Sequence, residues 1–168
     1  MKTLTHTLFG IFVVLWLYIQ FPALQNYSPF LFGIALAAFG ATMPDIDHGR
    51  ELSFFVKHRG WIHSLFGAIF FTLLFGWGLV IMSEEWFKTT FKFSYILPFF
   101  ISYISHLVID SLTPNGVNWL WPKKEKYTLN LIVTGSKTEK FFSKMIELGI
   151  VIELFYIFIY TCGFGCVV

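Results

Sequence analysis

The chain is built from long uncharged apolar runs separated by short polar stretches. Between Lys2 and Asp45 there is no Asp, Glu, Lys or Arg, a run of 42 residues broken only by the polar segment Gln25-Asn26-Tyr27-Ser28-Pro29. This pattern predicts two helical spans joined by a tight turn. The first, about 7–24, reaches about 27 Å at 1.5 Å per residue, close to the hydrocarbon thickness of a bilayer. The second, about 30–43, is shorter and rich in small residues (Gly33, Ala35, Ala37, Ala38, Gly40, Ala41), which suit close helix contact better than lipid exposure. Ser28-Pro29 supplies an N-cap and first-turn pair for it. A third run predicts a helix over about 61–82 and a fourth over about 94–112, separated by a loop carrying Glu84, Glu85, Lys88 and Lys92. The fifth covers about 145–162, with Gly163 and Gly165 weakening the helix beyond it.

The fold class read from this pattern is all-α: one membrane domain over 1–168 with about five transmembrane helices. Residues 113–144 form a cytoplasmic segment with an extended piece at Tyr127–Val133. Ser136-Lys137-Thr138-Glu139 has the form of a capping box and predicts a short amphipathic helix leading into the last span. The start of the chain, Lys2 followed by an apolar run, is also what a secretory signal offers. The run is long, however, and Phe21-Pro22-Ala23 lacks the small-x-small cleavage pattern, so it is read as a retained span.

Composition agrees with lipid as the solvent. Hydrophobic residues make up 56% and charged residues 13% of the 168, and the mean hydropathy is +0.68, against about 45–50% and 25% in soluble domains. The 22 Phe, six Trp and seven Tyr are too many for one soluble core of this size to hide. Net charge is only +2, so its placement carries the information. With five spans, ten Lys and Arg fall on the side of Lys2 and only Lys88 and Lys92 on the other, which puts the N-terminus in the cytoplasm of a bacterial inner membrane. Membrane lipid is the expected partner, and no nucleic acid is expected. Cys162 and Cys166 are too few for a disulfide scaffold or a cysteine-rich zinc module.

All five His and all three Asp fall in four blocks: His6; Asp45, Asp47 and His48; His58 and His63; His106 and Asp110. In a five-span topology every block reaches the cytoplasmic surface. Polar residues gather at helix ends because lipid expels them, so clustering alone decides little. His106 and Asp110 are harder to dismiss, since ionisable groups inside an apolar helix are costly and a spacing of four puts both on one face. Pro44 ends the second helix, and Asp45 and Asp47, two apart in an extended stretch, are expected to point the same way. Paired carboxylates repel unless a cation neutralises them, and imidazole with carboxylate suits zinc, manganese or iron. Seven or eight candidate ligands exceed the four of a structural zinc site, which implies more than one ion or an ion plus catalytic groups. Arg59 offers a planar donor fork for phosphate or, equally, for lipid headgroups. His63 is expected in the first turn of the third helix, near N–H groups that favour anions. Ser64 reads as a helix-end hydrogen-bonder, and Trp61, Trp119 and Trp121 as interface anchors.

These blocks carry a resemblance. His6, Pro44-Asp45-Ile46-Asp47-His48, the segment from His58 through Arg59 to His63-Ser64, the run Ser105–Gly116 containing His106 and Asp110, and Thr134-Gly135-Ser136 with Glu139 resemble the YdjM-like family of bacterial inner-membrane proteins classed as metal-dependent hydrolases. Trp61-Ile62 departs from the smaller residue and Thr that many relatives carry before the His-Ser pair, without touching the ligands. The His-x-x-x-Asp helix is also distantly similar to that of zinc-dependent phospholipases C and their related nucleases, which implies phosphoester hydrolysis.

The residues and the resemblance together point to a metal-dependent phosphoester hydrolase at the cytoplasmic leaflet, acting on a lipid-linked or headgroup phosphate. The expected metal ligands are His6, Asp45, Asp47, His63, His106 and Asp110, with His48, His58 and Arg59 as catalytic candidates. His48 and His58 can equally be ligands, or can support the ligands from behind. The rival readings are a metal transporter or sensor, for which the intramembrane Glu153 would be the principal residue, and a non-catalytic adaptor whose metal clamps helix ends. Glu153 itself is expected to be a hydrogen-bonded packing residue.

Overall fold

A computed structural model of the chain describes residues 1–22, 24, 30–48, 60–85, 92–123 and 125–164, with the backbone alone at 47, 48, 84, 85, 93 and 161–164. Among the described residues there are five α-helices and no strand: α1 (Thr3–Gln20), α2 (Phe30–Thr42), α3 (Leu65–Glu85), α4 (Leu97–Ser111) and α5 (Lys137–Phe164). Helices α1 (over Thr3–Gln20) and α3 (over Leu65–Ser83) are each long and apolar enough to cross a membrane, and Phe30–Ile46 forms a shorter apolar stretch.

The helix ends differ from those expected for reasons that can be named. Helix α1 begins at Thr3, because Lys2 stands at its N-cap and accepts the first backbone hydrogen bonds from Thr5 and His6. It stops at Gln20, two residues before Pro22, where the ring disfavours helical geometry in the preceding residue. Helix α3 begins at Leu65, four residues later than the apolar run. Ser64 caps it, its Oγ accepting the Gly67 N–H at 3.2 Å and donating back to the Trp61 carbonyl. His63 therefore precedes α3 instead of sitting in its first turn. The expected capping box at 136–139 forms in part. Ser136 Oγ accepts the Glu139 N–H at 3.2 Å, but helix α5 then runs unbroken for 28 residues, with no separate amphipathic helix before it. Gly135, at φ 81°, makes the turn into it with a backbone that side chains resist.

Helices α1, α2 and α4 are packed together, with α5 against α1 and α3 against α4. Small residues allow it. A methyl group on Gly40 would lie 2.3 Å from the Phe99 carbonyl oxygen, and one on Gly10 would lie 2.0 Å from Ser102 Oγ. Gly33, Ala37, Gly40 and Ala41 are buried, as close contact of α2 requires. Ser102 Oγ donates to the Ala37 carbonyl across that contact at 2.5 Å. Helix α4 is the central element, with nine of its 15 residues buried, among them Phe99, Tyr103 and Leu107 of the main apolar cluster. The outer helices α3 and α5 turn large apolar side chains outward, Trp77 at 68% and Phe155 at 63% exposure, as lipid-facing helices do. The starts of α1, α3 and α5 and the ends of α2 and α4 meet at one end of the bundle, where the contacts described next lie.

Candidate metal centre

The sequence places histidines and aspartates at helix termini, and the alternating helix directions bring them to one point. His6 comes from the first turns of α1. Asp45 comes from a 3-10 helix, Met43–His48, that continues α2 past Thr42, so the extended geometry expected for Asp45 and Asp47 is replaced by a tight helical turn. His63 comes from the bend that precedes α3, where Tyr103 Oη donates to the Ile62 carbonyl at 2.8 Å and fixes the backbone beside it. His106 and Asp110 come from the last two turns of α4.

Their side chains form a buried cluster. His6 is 1% exposed, His63 and His106 0% and Asp110 1%. His6 Nε2 lies 3.3 Å from Asp110 Oδ1, and its ring stacks on that of His106 with centroids 3.8 Å apart. His63 Nε2 lies 3.8 Å from both Asp45 Oδ1 and Asp110 Oδ2. His106 Nε2 is 3.7 Å from Asp45 Oδ1 and 3.8 Å from Asp110 Oδ2, beyond hydrogen-bond length, and has no hydrogen-bond partner. The other nitrogen of that ring, Nδ1, is 2.7 Å from the Ala41 carbonyl. A carbonyl only accepts, so Nδ1 carries the proton and Nε2 presents a lone pair to the centre of the cluster.

The donor set suits a divalent cation. Ligand atoms 2.0–2.2 Å from a tetrahedral ion stand about 3.3–3.6 Å apart, and a small contraction of the distances above reaches that spacing. Two overlapping groups are candidates for it, His6 with Asp45 and His106, and His63 with His106 and Asp110, the ligand atoms of each lying within 4.8 Å of one another. The Met1 ammonium, 3.3 Å from Asp110 Oδ1, offsets one carboxylate, and the negative charge left on Asp45 is what a cation at the cluster would balance. Burial opposes ionisation of Asp45, but hydrogen bonding to His63 and the positive charge that His106, His6 and His63 carry when protonated outweigh it and hold its pKa below the ordinary carboxylate range. Asp45 is also the most solvent-accessible member, its side chain 18% exposed.

Of the nine residues expected at the site, five are brought together: His6, Asp45, His63, His106 and Asp110. The side chains of Asp47 and His48, and the whole of His58 and Arg59, lie outside the described residues. A further set of residues was not anticipated. Thr3 Oγ1 donates to Asp45 Oδ2 at 3.2 Å, and it lies one turn before His6 on the same helix face. Glu139 accepts the Lys2 N–H at 2.6 Å, the Gly135 N–H and the Thr5 hydroxyl at 3.4 Å. It thereby fastens the start of α1, and so His6, to the start of α5. Glu153 lies far along α5 from this cluster. It is 7% exposed and neither of its oxygens has a hydrogen-bond partner, contrary to the expected bonded packing role.

The model of the family described as YdjM inner membrane protein matches residues 1–167. The chain belongs to the YdjM family. Two curated relatives, the inner membrane protein YdjM of Escherichia coli strain K12 and that of Shigella flexneri, are each 34% identical to it over 113 residues. The aligned part is 59% of this chain and 55% of each relative, so the chain spans about half the length of the curated relatives it matches. No solved structure matches this chain. Its relatives are named for the inner membrane, and the apolar outward faces of α3 and α5 are what that location requires.

Proposed function

We propose that the protein crosses the inner membrane five times, with its N-terminus and the His/Asp cluster on the cytoplasmic side, and that the cluster is the metal centre of a phosphoester hydrolase. The observation that carries this reading is the buried convergence of three imidazoles and two carboxylates from four separate segments, with the His106 Nε2 lone pair turned inward. The ten-to-two distribution of Lys and Arg supports the orientation.

His6, Asp45, His63, His106 and Asp110 would hold the ion or ions, with Asp47 as a further candidate. Zinc is favoured by the ligand types, with manganese and iron as alternatives. Such an ion supplies Lewis acidity toward a phosphoryl oxygen and a nucleophile at neutral pH. The chain's own residues orient and screen. Ala41 and Thr3 fix the His106 ring and the Asp45 carboxylate, burial excludes bulk water from the imidazoles, and the exposed side of Asp45 admits the substrate. Arg59 is assigned to the phosphate and His48 or His58 to protonating the leaving oxygen. A lipid-linked or headgroup phosphate fits a site at a membrane surface.

Purified protein analysed for bound metal, with Asp45→Asn and His106→Ala beside it, tests the centre. Metal content should fall in both variants while membrane insertion persists; unchanged stoichiometry in both removes them as ligands. Release of phosphate or a phosphorylated headgroup from a panel of lipid phosphoesters by metal-loaded protein tests the reaction. Glu153, buried without a hydrogen-bond partner, supports a second reading as a metal transporter. Under that reading, metal uptake into proteoliposomes occurs without hydrolysis of any phosphoester.

A further inference from the structure

The segment after α4 combines a satisfied backbone with an unsatisfied surface. Its polar main chain is used internally. Val117 and Tyr127 exchange backbone hydrogen bonds at 3.1 and 2.9 Å, the Leu129 N–H donates to the Ser111 carbonyl, and the Leu131 and Ile132 N–H groups donate to the Leu112 carbonyl. Thr128 Oγ1 donates to the Thr113 carbonyl at 2.6 Å. These bonds occupy carbonyls that the end of α4 would otherwise leave open, and Ile132 is buried beneath them. The side chains point the other way. Tyr127, Leu129, Leu131 and Val133, at every second position, are 46–66% exposed, and Leu120 and Trp121 beside them 48% and 43%. Between α4 and this segment runs an open groove of about 500 Å³, with Val108, Leu112, Trp119 and Leu129 in its walls.

We propose that residues 117–133 are a membrane-interface anchor, seated in the headgroup and acyl boundary of the leaflet that the His/Asp end of the bundle faces. A held backbone with outward apolar side chains is what the interface accepts and water does not. Charge complementarity identifies the occupant as anionic lipid. Lys123 and Lys126 precede the apolar row and Lys137 and Lys140 follow it, all exposed, and basic residues at that depth bind acidic headgroups. The apolar face is also continuous with the outward side of α5, where Phe141 is 68% and Met145 50% exposed. The anchor brings the acyl region of the leaflet to the end of α4 that carries Asp110. It does not depend on the hydrolase reading.

The test places a bimane label at Leu131→Cys or, as a second site, Leu129→Cys, in full-length protein carrying Cys162→Ser and Cys166→Ser. The protein is reconstituted in vesicles of phosphatidylethanolamine and phosphatidylglycerol. Quenching by nitroxide-labelled lipid should be several-fold stronger, and quenching by aqueous iodide several-fold weaker, than for the same label as its water-soluble glutathione adduct. Iodide quenching at both positions equal to that of the adduct overturns the proposal. So does shielding in native membranes that disappears in the pure-lipid vesicles, because a protein partner would then be the cover. Loss of phosphoester hydrolysis does not enter either outcome, so failure of the anchor and failure of the enzymatic reading are distinguishable.

Discussion

Asp110 and Glu153 are both acidic residues buried in apolar helices, the first 1% and the second 7% exposed, yet their surroundings have little in common. Asp110 closes α4 among His6, His63 and His106, whose ring nitrogens stand 3.3–3.8 Å from its oxygens. Glu153 sits within α5 with no hydrogen-bond partner at either oxygen. Burying a carboxylate is costly in both places, but only around Asp110 does the protein collect groups whose joint charge and geometry a cation would resolve. The comparison separates a built polar centre from a single polar residue, and each prediction below tries that separation from one side.

The largest effect is expected from the built centre. Asp110→Asn removes a ligand to both edges of the cluster, so the loss of metal affinity should exceed the 10- to 100-fold that outer supporting residues typically cost. Isothermal titration with zinc or manganese in detergent measures it. If Asp110→Asn binds metal as the unaltered protein does, Asp110 is not a ligand, and the group of His63, His106 and Asp110 is a buried polar network.

Next comes the packing that holds the centre together. Gly40→Val inserts a side chain where the first carbon alone would lie 2.3 Å from the Phe99 carbonyl oxygen. The helices must separate, at a cost of about 1–3 kcal/mol or more, and His106, about two helix turns further along α4, moves with them. Thermal unfolding in detergent should show a lowered midpoint. Gly78→Val, where a side chain meets open space, is the matched control and should leave the midpoint near that of the unaltered protein.

A smaller effect is expected at Glu139. Burial opposes its ionisation, but the hydrogen bonds from the Gly135 and Lys2 N–H groups and from Thr5 prevail and hold its pKa below the ordinary value. Because the folded value lies below the unfolded one, this carboxylate contributes stability that is fully present above about pH 4.3 and is lost as pH falls through the folded value. Stability should therefore be insensitive to this group from pH 7 to 5 and decline on the acid side. Glu139→Gln should cost about 1.5–3 kcal/mol at pH 7, the range for hydrogen bonds to charged groups, and should remove that part of the acid slope. A weakened zinc affinity in the same variant would tie the fastening of α1 to His6.

How much of this was legible in the sequence follows from which forces act locally. Apolar runs report helices because lipid or a core must cover them, and all five helices lie within or overlap the runs that predicted them. Helix ends are set by particular hydrogen bonds, and only some leave a local trace. Ser64 and Ser136 announce their caps, whereas Glu139, written in the sequence as a capping-box glutamate, spends its carboxylate on Lys2, 137 residues away. The spacing of His106 and Asp110 declares a shared face. That Asp45 would sit in a 3-10 turn, with Thr3 bonded to it, depends on how α1 packs against α2, which no local pattern records. The buried isolation of Glu153 is of the same kind, since its neighbours come from another helix.

The smallest effect is the most discriminating. Glu153→Gln keeps the shape of the side chain and removes its ability to ionise, so in an enzyme whose chemistry lies at the far end of α1 and α4 it should leave metal content and turnover nearly unchanged. Glu153 is about 21 Å along α5 from Glu139, at 1.5 Å per residue, and Glu139 marks the level of the cluster. A packing residue at that distance has no means of touching the reacting phosphate. A transporter reverses the order. A buried carboxylate part-way across the bilayer would then be on the ion's path, and Glu153→Gln should abolish metal uptake into proteoliposomes while the His/Asp cluster still binds metal. Measuring both uptake and hydrolysis on the same two preparations decides between them. Loss of uptake with no hydrolysis in the unaltered protein ends the enzymatic reading, and intact turnover in the variant confines Glu153 to packing.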